Sequence, residues 1–136
     1  MRRAWAEEQA GQAIADDGFE ARFGAWFETE ADHRVTWLAE LGERPVGMLN
    51  MLVFTRMPRP RHPNDKPAQW GYVANVYVDR ARRDAGVGRV LLAAATSYAD
   101  ETGLARLVLS PSERSVPFYE RAGFTTDTTL MVRHVR

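Results

Sequence analysis

The sequence predicts an α/β fold of the α+β kind: one domain over residues 1–136, built on a mixed sheet of about six strands with helices on both faces. Three observations carry this reading. Residues 34–54 alternate apolar and polar side chains on both sides of a Gly-Glu-Arg-Pro turn, the pattern of an antiparallel hairpin. Residues 70–101 form an apolar strand pattern that runs through a glycine-spaced bend into a helical one. Two helical stretches precede every strand. A chain of 136 residues buries roughly two thirds of its unfolded surface, enough for one core.

The elements follow in order. From Arg2 to about Asp16 the chain is rich in Ala, Glu and Gln, good helix formers, and Asp16-Asp17-Gly18 breaks the pattern. Phe19, Phe23, Trp26 and Phe27 fall on one face of a second helix ending near Glu28. The hairpin strands are Arg34 to Leu41 and Val46 to Phe54. Residues 55–69 hold Pro58, Pro60, Pro63 and Pro67, each fixing a backbone angle and removing a donor, so this segment is a loop; Arg56, Arg59, Arg61 and Lys66 make it basic. Trp70 to Val78 is the next strand. Val87 to about Glu101 is the main helix, with Val87, Leu91, Ala94, Ala95 and Tyr98 on one face and Thr102-Gly103 as its stop. A short strand at Ala105 to Leu109, a short helix near Ser115 to Ala122 closed by Gly123, and two strands near Phe124 to Thr126 and Thr129 to Val135 complete the chain.

Composition excludes several functions. Acidic and basic residues balance at 18 each, so no net field draws the chain to nucleic acid or to an anionic membrane, and neither is expected as a partner. The absence of cysteine removes disulfides, thiolate metal sites and a thiol nucleophile. A cytoplasmic location follows as the simplest expectation, since the charged start, Met1-Arg2-Arg3-Ala4-Trp5-Ala6-Glu7-Glu8, lacks the apolar core of a signal peptide. His33, His62 and His134 lie far apart, and no metal site is expected.

The chemistry-bearing segment is Val76-Tyr77-Val78-Asp79-Arg80-Ala81-Arg82-Arg83-Asp84-Ala85-Gly86-Val87-Gly88-Arg89. Glycines at 86 and 88 let backbone amides approach an anion, the first helical turn offers unpaired N–H groups, and Arg82, Arg83 and Arg89 add positive charge. The spacing matches neither a Walker loop nor a dinucleotide fingerprint. It resembles motif A of the GNAT superfamily of N-acetyltransferases. Ser112 to Phe124, with Phe118-Tyr119 and Gly123-Phe124, looks like the same family's motif B at the expected distance.

The resemblance covers roughly residues 34 to 130 and implies a mostly antiparallel sheet and acetyl-coenzyme A as cosubstrate, without a metal. It implies that Arg83, Asp84, Ala85, Gly86, Val87, Gly88 and Arg89 bind the pyrophosphate. Val76, Tyr77 and Val78 are implied to line the pantetheine arm, with the Val76 N–H against the thioester oxygen, and Ser112 and Ser115 to contact that arm. Tyr119 is the expected general acid that protonates the departing thiolate. Trp26, Phe27 and Tyr72 are the expected acceptor-binding residues. The strand before the loop carries no carboxylate base; Asn75 can orient the amine or a water but cannot take its proton, and Glu28, Glu30 and Asp32 stand near the acceptor side.

Two departures accompany the resemblance. Ser112 stands where the family often has asparagine. The family's first strand has no counterpart, which points to an N-terminal truncation or to an open sheet edge that a second copy in a homodimer would cover. The expected function is transfer of an acetyl group to a primary amine of a small molecule or peptide, in a ternary complex. The alternative is a noncatalytic acyl-coenzyme A-binding or regulatory module.

Overall fold

The computed structural model describes residues 1–15, 17–60 and 66–135. Its helices are α1 (Arg2–Ala10), α2 (Phe19–Glu30), α3 (Val87–Thr102) and α4 (Val116–Arg121), and its strands β1 (Arg34–Leu41), β2 (Arg44–Thr55), β3 (Gln69–Val78) and β4 (Leu107–Val108). The strands lie in the order β1-β2-β3-β4, the first two pairings antiparallel and the last parallel. Glycine sets several element ends: Gly11 (φ 70°) stops α1, Gly42 (φ 65°) turns the hairpin, and Gly86 (φ 84°) and Gly103 (φ 71°) bracket α3.

The core lies between the sheet and α3. Leu49 and Met51 of β2, Val73 of β3, and Leu91, Leu92 and Ala95 of α3 are buried together, with Val35, Trp37, Val53, Val76 and Val78 packed around them. This face is consistent along β3 only because of a bulge. Asn50 stands opposite Asn75, but Met51 stands opposite Val73, so Ala74 is an extra residue. In an unbroken strand Val73 and Val76, three apart, would point to opposite faces; the bulge sends both to α3.

The other face carries α1 and α2. Trp5 of α1 stacks on Tyr77 of β3 with ring centroids 5.8 Å apart. Arg34 lies over the Trp26 ring of α2, 4.8 Å from its centroid. Its guanidinium donates to Asn50 Oδ1 at 2.7 Å and to Glu30 Oε1 at 3.2 Å, and Asn50 Nδ2 donates to Thr36 Oγ1 at 2.7 Å. Asn50 is thus a buried polar residue whose amide is held on both ends, as burial requires.

Gly71 sits where β3 meets both neighbours. A Cβ there would stand 2.6 Å from Met51 Sδ and 2.8 Å from Leu107 Cδ2. Gly71→Ala is expected to lower stability by about 1–3 kcal/mol through overpacking, read as a lower urea midpoint at unchanged slope. An unmoved midpoint would mean that the methionine yields at no cost.

Several sequence expectations need correction. The sheet has four strands among the described residues, not six. Residues 124–135 contain no strand: β4 is only two residues long and offers almost no edge to pair with, and Leu130, Met131, Val132 and Val135 are exposed. The fourth strand shrinks from the expected 105–109 for the same reason of limited pairing, as β3 meets β4 only at Gly71↔Leu107 and Tyr72↔Val108. The first helix stops at Ala10 rather than near Asp16, because Gly11 takes the left-handed conformation and its N–H and that of Gln12 close onto Glu8 and Glu7. The α2 helix runs to Glu30. Arg61 and Pro63 of the basic loop, and Asp16, lie outside the described residues.

Candidate active site

The site begins with the divergence of β3 from β4. Asp79 N–H donates to the Val46 carbonyl at 2.7 Å, while Gly47, Met48 and Leu49 stand opposite Val78, Tyr77 and Val76. Bonded and nonbonded pairs alternate along an antiparallel ladder, so the backbone groups of Val76 and Val78 turn away from β2. On that side β4 has already ended its pairing. The Val78 carbonyl indeed accepts a bond there from Arg83 Nε at 3.1 Å. A cleft of about 750 Å³ opens at this edge.

The glycine-spaced bend forms one wall. Asp84 (φ 61°) and Gly86 (φ 84°) are both left-handed, so the chain reverses tightly into α3. Val90 N–H bonds the Gly86 carbonyl at 3.1 Å, which leaves the amides of Val87, Gly88 and Arg89 ahead of the first intrahelical bond. Those residues line the cleft. A Cβ on Gly88 would meet Phe118 Cζ at 3.3 Å and Val78 Cγ2 at 3.7 Å, so the missing side chain lets α3 start against α4 and β3. A strand edge with unpaired amides beside a helix start with unpaired amides is the donor set that an amide-bearing diphosphate carrier requires, and the coenzyme fits these residues on chemistry.

Tyr119 forms the opposite wall. It sits on α4, whose entry is set by Pro117, with its ring edge-on to Phe118 at 5.0 Å and to Phe124 at 5.9 Å. Burial pushes its phenol above the ordinary tyrosine range, so it stays protonated.

A second cavity of about 360 Å³ lies on the α1–α2 face, lined by Arg2, Phe19, Arg22, Phe23, Trp26, Phe27, Thr36, Met48, Asn50 and Asn75. Asn75 belongs to this cavity and its neighbour Val76 to the cleft. Consecutive residues of β3 thus line the two spaces.

Most residues singled out from the sequence therefore fall together. Val76, Tyr77, Val78, Arg83, Asp84, Ala85, Gly86, Val87, Gly88, Arg89, Ser115 and Tyr119 line the cleft, and Trp26, Phe27 and Asn75 line the second cavity. Tyr72 lines neither; it pairs with Leu52 on one side and Val108 on the other. Ser112 also lies off the cleft wall, its Oγ donating to Ser115 Oγ at 3.0 Å. Glu30 pairs with Arg34, and neither Glu28 nor Asp32 reaches the second cavity. Arg83 is also less free than expected, since both its terminal nitrogens bond Glu8 of α1. Trp5 and Arg121 line the cleft without having been singled out, and Glu8 adjoins it through Arg83. Trp5 and Glu8, three apart on one helix, carried a shared face as their only sequence signal.

Among the described residues no group of three His, Asp or Glu side chains could hold a metal ion, and no helix is long and apolar enough to cross a membrane.

Comparison with known proteins matches residues 2–124 to the acetyltransferase (GNAT) family. Over 54 residues the chain is 37% identical to glucosamine 6-phosphate N-acetyltransferase of Trypanosoma brucei brucei, a stretch covering 40% of this chain and 37% of that protein's length. A GCN5-related N-acetyltransferase from Ralstonia eutropha superposes with a TM-score of 0.71 at 29% identity, over 98% of this chain and 87% of that one. A predicted acetyltransferase with acetyl-CoA from Clostridium acetobutylicum has the same fold, with a TM-score of 0.73 at 19% identity over 97% and 84% of the two chains. With motif loop, diverging strands and aromatic helix in one cleft, and the family match spanning nearly its whole length, this chain belongs to the GNAT acetyltransferase family.

Proposed function

We propose that the chain transfers an acetyl group from acetyl-coenzyme A to the primary amine of a small molecule or peptide, by direct attack while both are bound. The observation that carries this is that consecutive residues of β3, Asn75 and Val76, line a separate cavity and a diphosphate-compatible cleft. The trypanosomal relative is named for a small amino sugar phosphate, which supports a small amine as acceptor.

Acetyl-coenzyme A supplies an activated acetyl carbonyl and a thiolate leaving group. The amides at Asp84 to Arg89, with Arg82 and Arg89, hold the pyrophosphate. The Val76 carbonyl and the Val78 N–H bond the pantetheine amides, and the Val76 N–H faces the thioester oxygen, where a donor is most effective as negative charge develops. Tyr119 gives its proton to the departing sulfur. The α2 aromatics Trp26 and Phe27 wall the acceptor, and Asn75 orients its amine. Among the described residues the cavity lining holds no carboxylate, so the amine's proton goes to water.

A thiol-release assay against a panel of amines tests the reading. Acceptor-dependent release of coenzyme A thiol from acetyl-coenzyme A is expected with at least one small amine. Saturable coenzyme binding with no release for any amine would favour the noncatalytic module instead.

A further inference from the structure

The contact between Glu8 and Arg83 joins residues 75 apart in sequence, and the proposed chemistry has no use for it. Arg83 Nη1 lies 2.5 Å from Glu8 Oε1 and Nη2 2.7 Å from Oε2, a two-pronged pairing of guanidinium and carboxylate. The third nitrogen, Nε, bonds the Val78 carbonyl at 3.1 Å. The same guanidinium lies 5.9 Å from the centre of the Tyr77 ring, which Trp5 covers from α1. One arginine thereby ties α1, the end of β3 and the start of the phosphate loop together. The bonds that Arg83 donates hold the Glu8 carboxyl below the usual range, and the carboxylate that accepts them holds Arg83 protonated.

We propose that Glu8 is a positioning residue for coenzyme binding: it turns Arg83 back onto Val78, so that this arginine braces the loop rather than gripping a phosphate. The phosphates are then left to the loop amides and to Arg82 and Arg89. This rests on reading the cleft as the coenzyme site.

The brace and simple electrostatics predict opposite signs. Glu8 is a negative charge beside an anion site, so if it acted only through its field, Glu8→Gln would tighten coenzyme A. As a brace its loss loosens the loop, and binding weakens. Titration calorimetry with coenzyme A on the full chain should show Glu8→Gln and Arg83→Gln each weakening binding about five- to tenfold, and the double variant no more than either single one. In turnover the change should fall on KM for acetyl-coenzyme A, with kcat within about twofold. Arg83→Lys keeps the charge but cannot hold both carboxylate oxygens and the Val78 carbonyl together, so it should weaken binding as Arg83→Gln does. Tighter or unchanged binding by Glu8→Gln, additive losses in the double variant, or full affinity in Arg83→Lys would each overturn the brace. If the folded wild-type chain itself fails to bind coenzyme A, the reading of the cleft falls and the brace with it.

Discussion

Replacing Tyr119 by phenylalanine is expected to lower kcat by roughly 10²- to 10⁴-fold while leaving coenzyme affinity nearly unchanged. The ring packs edge-on against Phe118 and Phe124, and those contacts survive loss of the hydroxyl. What disappears is a proton donor on the cleft wall. The same burial that raises the phenol pKa fixes the pH profile. A raised pKa extends upward the pH range over which the donor keeps its proton while the acceptor amine is losing its own. The wild-type rate should therefore rise with pH as the amine deprotonates, and any fall should come only above the ordinary tyrosine range near 10. Steady-state kinetics across pH on both proteins checks this. A phenylalanine variant with wild-type turnover would remove Tyr119 from the chemistry.

Gly88→Val is expected to weaken coenzyme A binding by on the order of 10²-fold, the loss of about two hydrogen bonds to a charged group. The reason is space. At this position a Cβ already stands 3.3 Å from Phe118 Cζ, and branched methyls would push either α4 or the start of α3 aside. Both movements displace the amides that face the anion. Gly88→Ala asks its neighbours for only a few tenths of an ångström, so a small effect there beside a large one for valine would assign the loss to side-chain volume. Calorimetry on both variants provides the comparison, and equal affinity for valine and wild type would show that the loop amides are not the phosphate site.

That the candidate residues would gather along one cleft was largely legible in the sequence because the signals are local. Gly86 and Gly88 mark a bend into a helix whatever surrounds them, and Phe118-Tyr119 sits at a readable distance downstream. What could not be read depends on contacts between distant segments. Nothing in Met1 to Ala10 announces that Glu8 will meet Arg83, since that requires α1 to cross the edge of β3. Tyr72 was named from the resemblance alone; the bulge at Ala74 sets it on the same face as Asn75, but it stands further along β3, between Leu52 and Val108, and lines neither space. The last two strands fail on partners rather than propensity: Thr125, Thr126 and Thr129 suit a strand, but a strand forms only against an edge, and β4 is two residues long. The first helix was drawn too long because Gly11 was passed over in favour of the stronger break at Asp16 to Gly18.

The two spaces lined by Asn75 and Val76 draw most of their distinguishing walls from different parts of the chain: the glycine-spaced bend and α4 for the cleft, α2 for the cavity. Descendants of such a protein could exchange α2 by drift or by grafting, and inherit a new diet of amines while the machinery for the acyl carrier passes on unaltered.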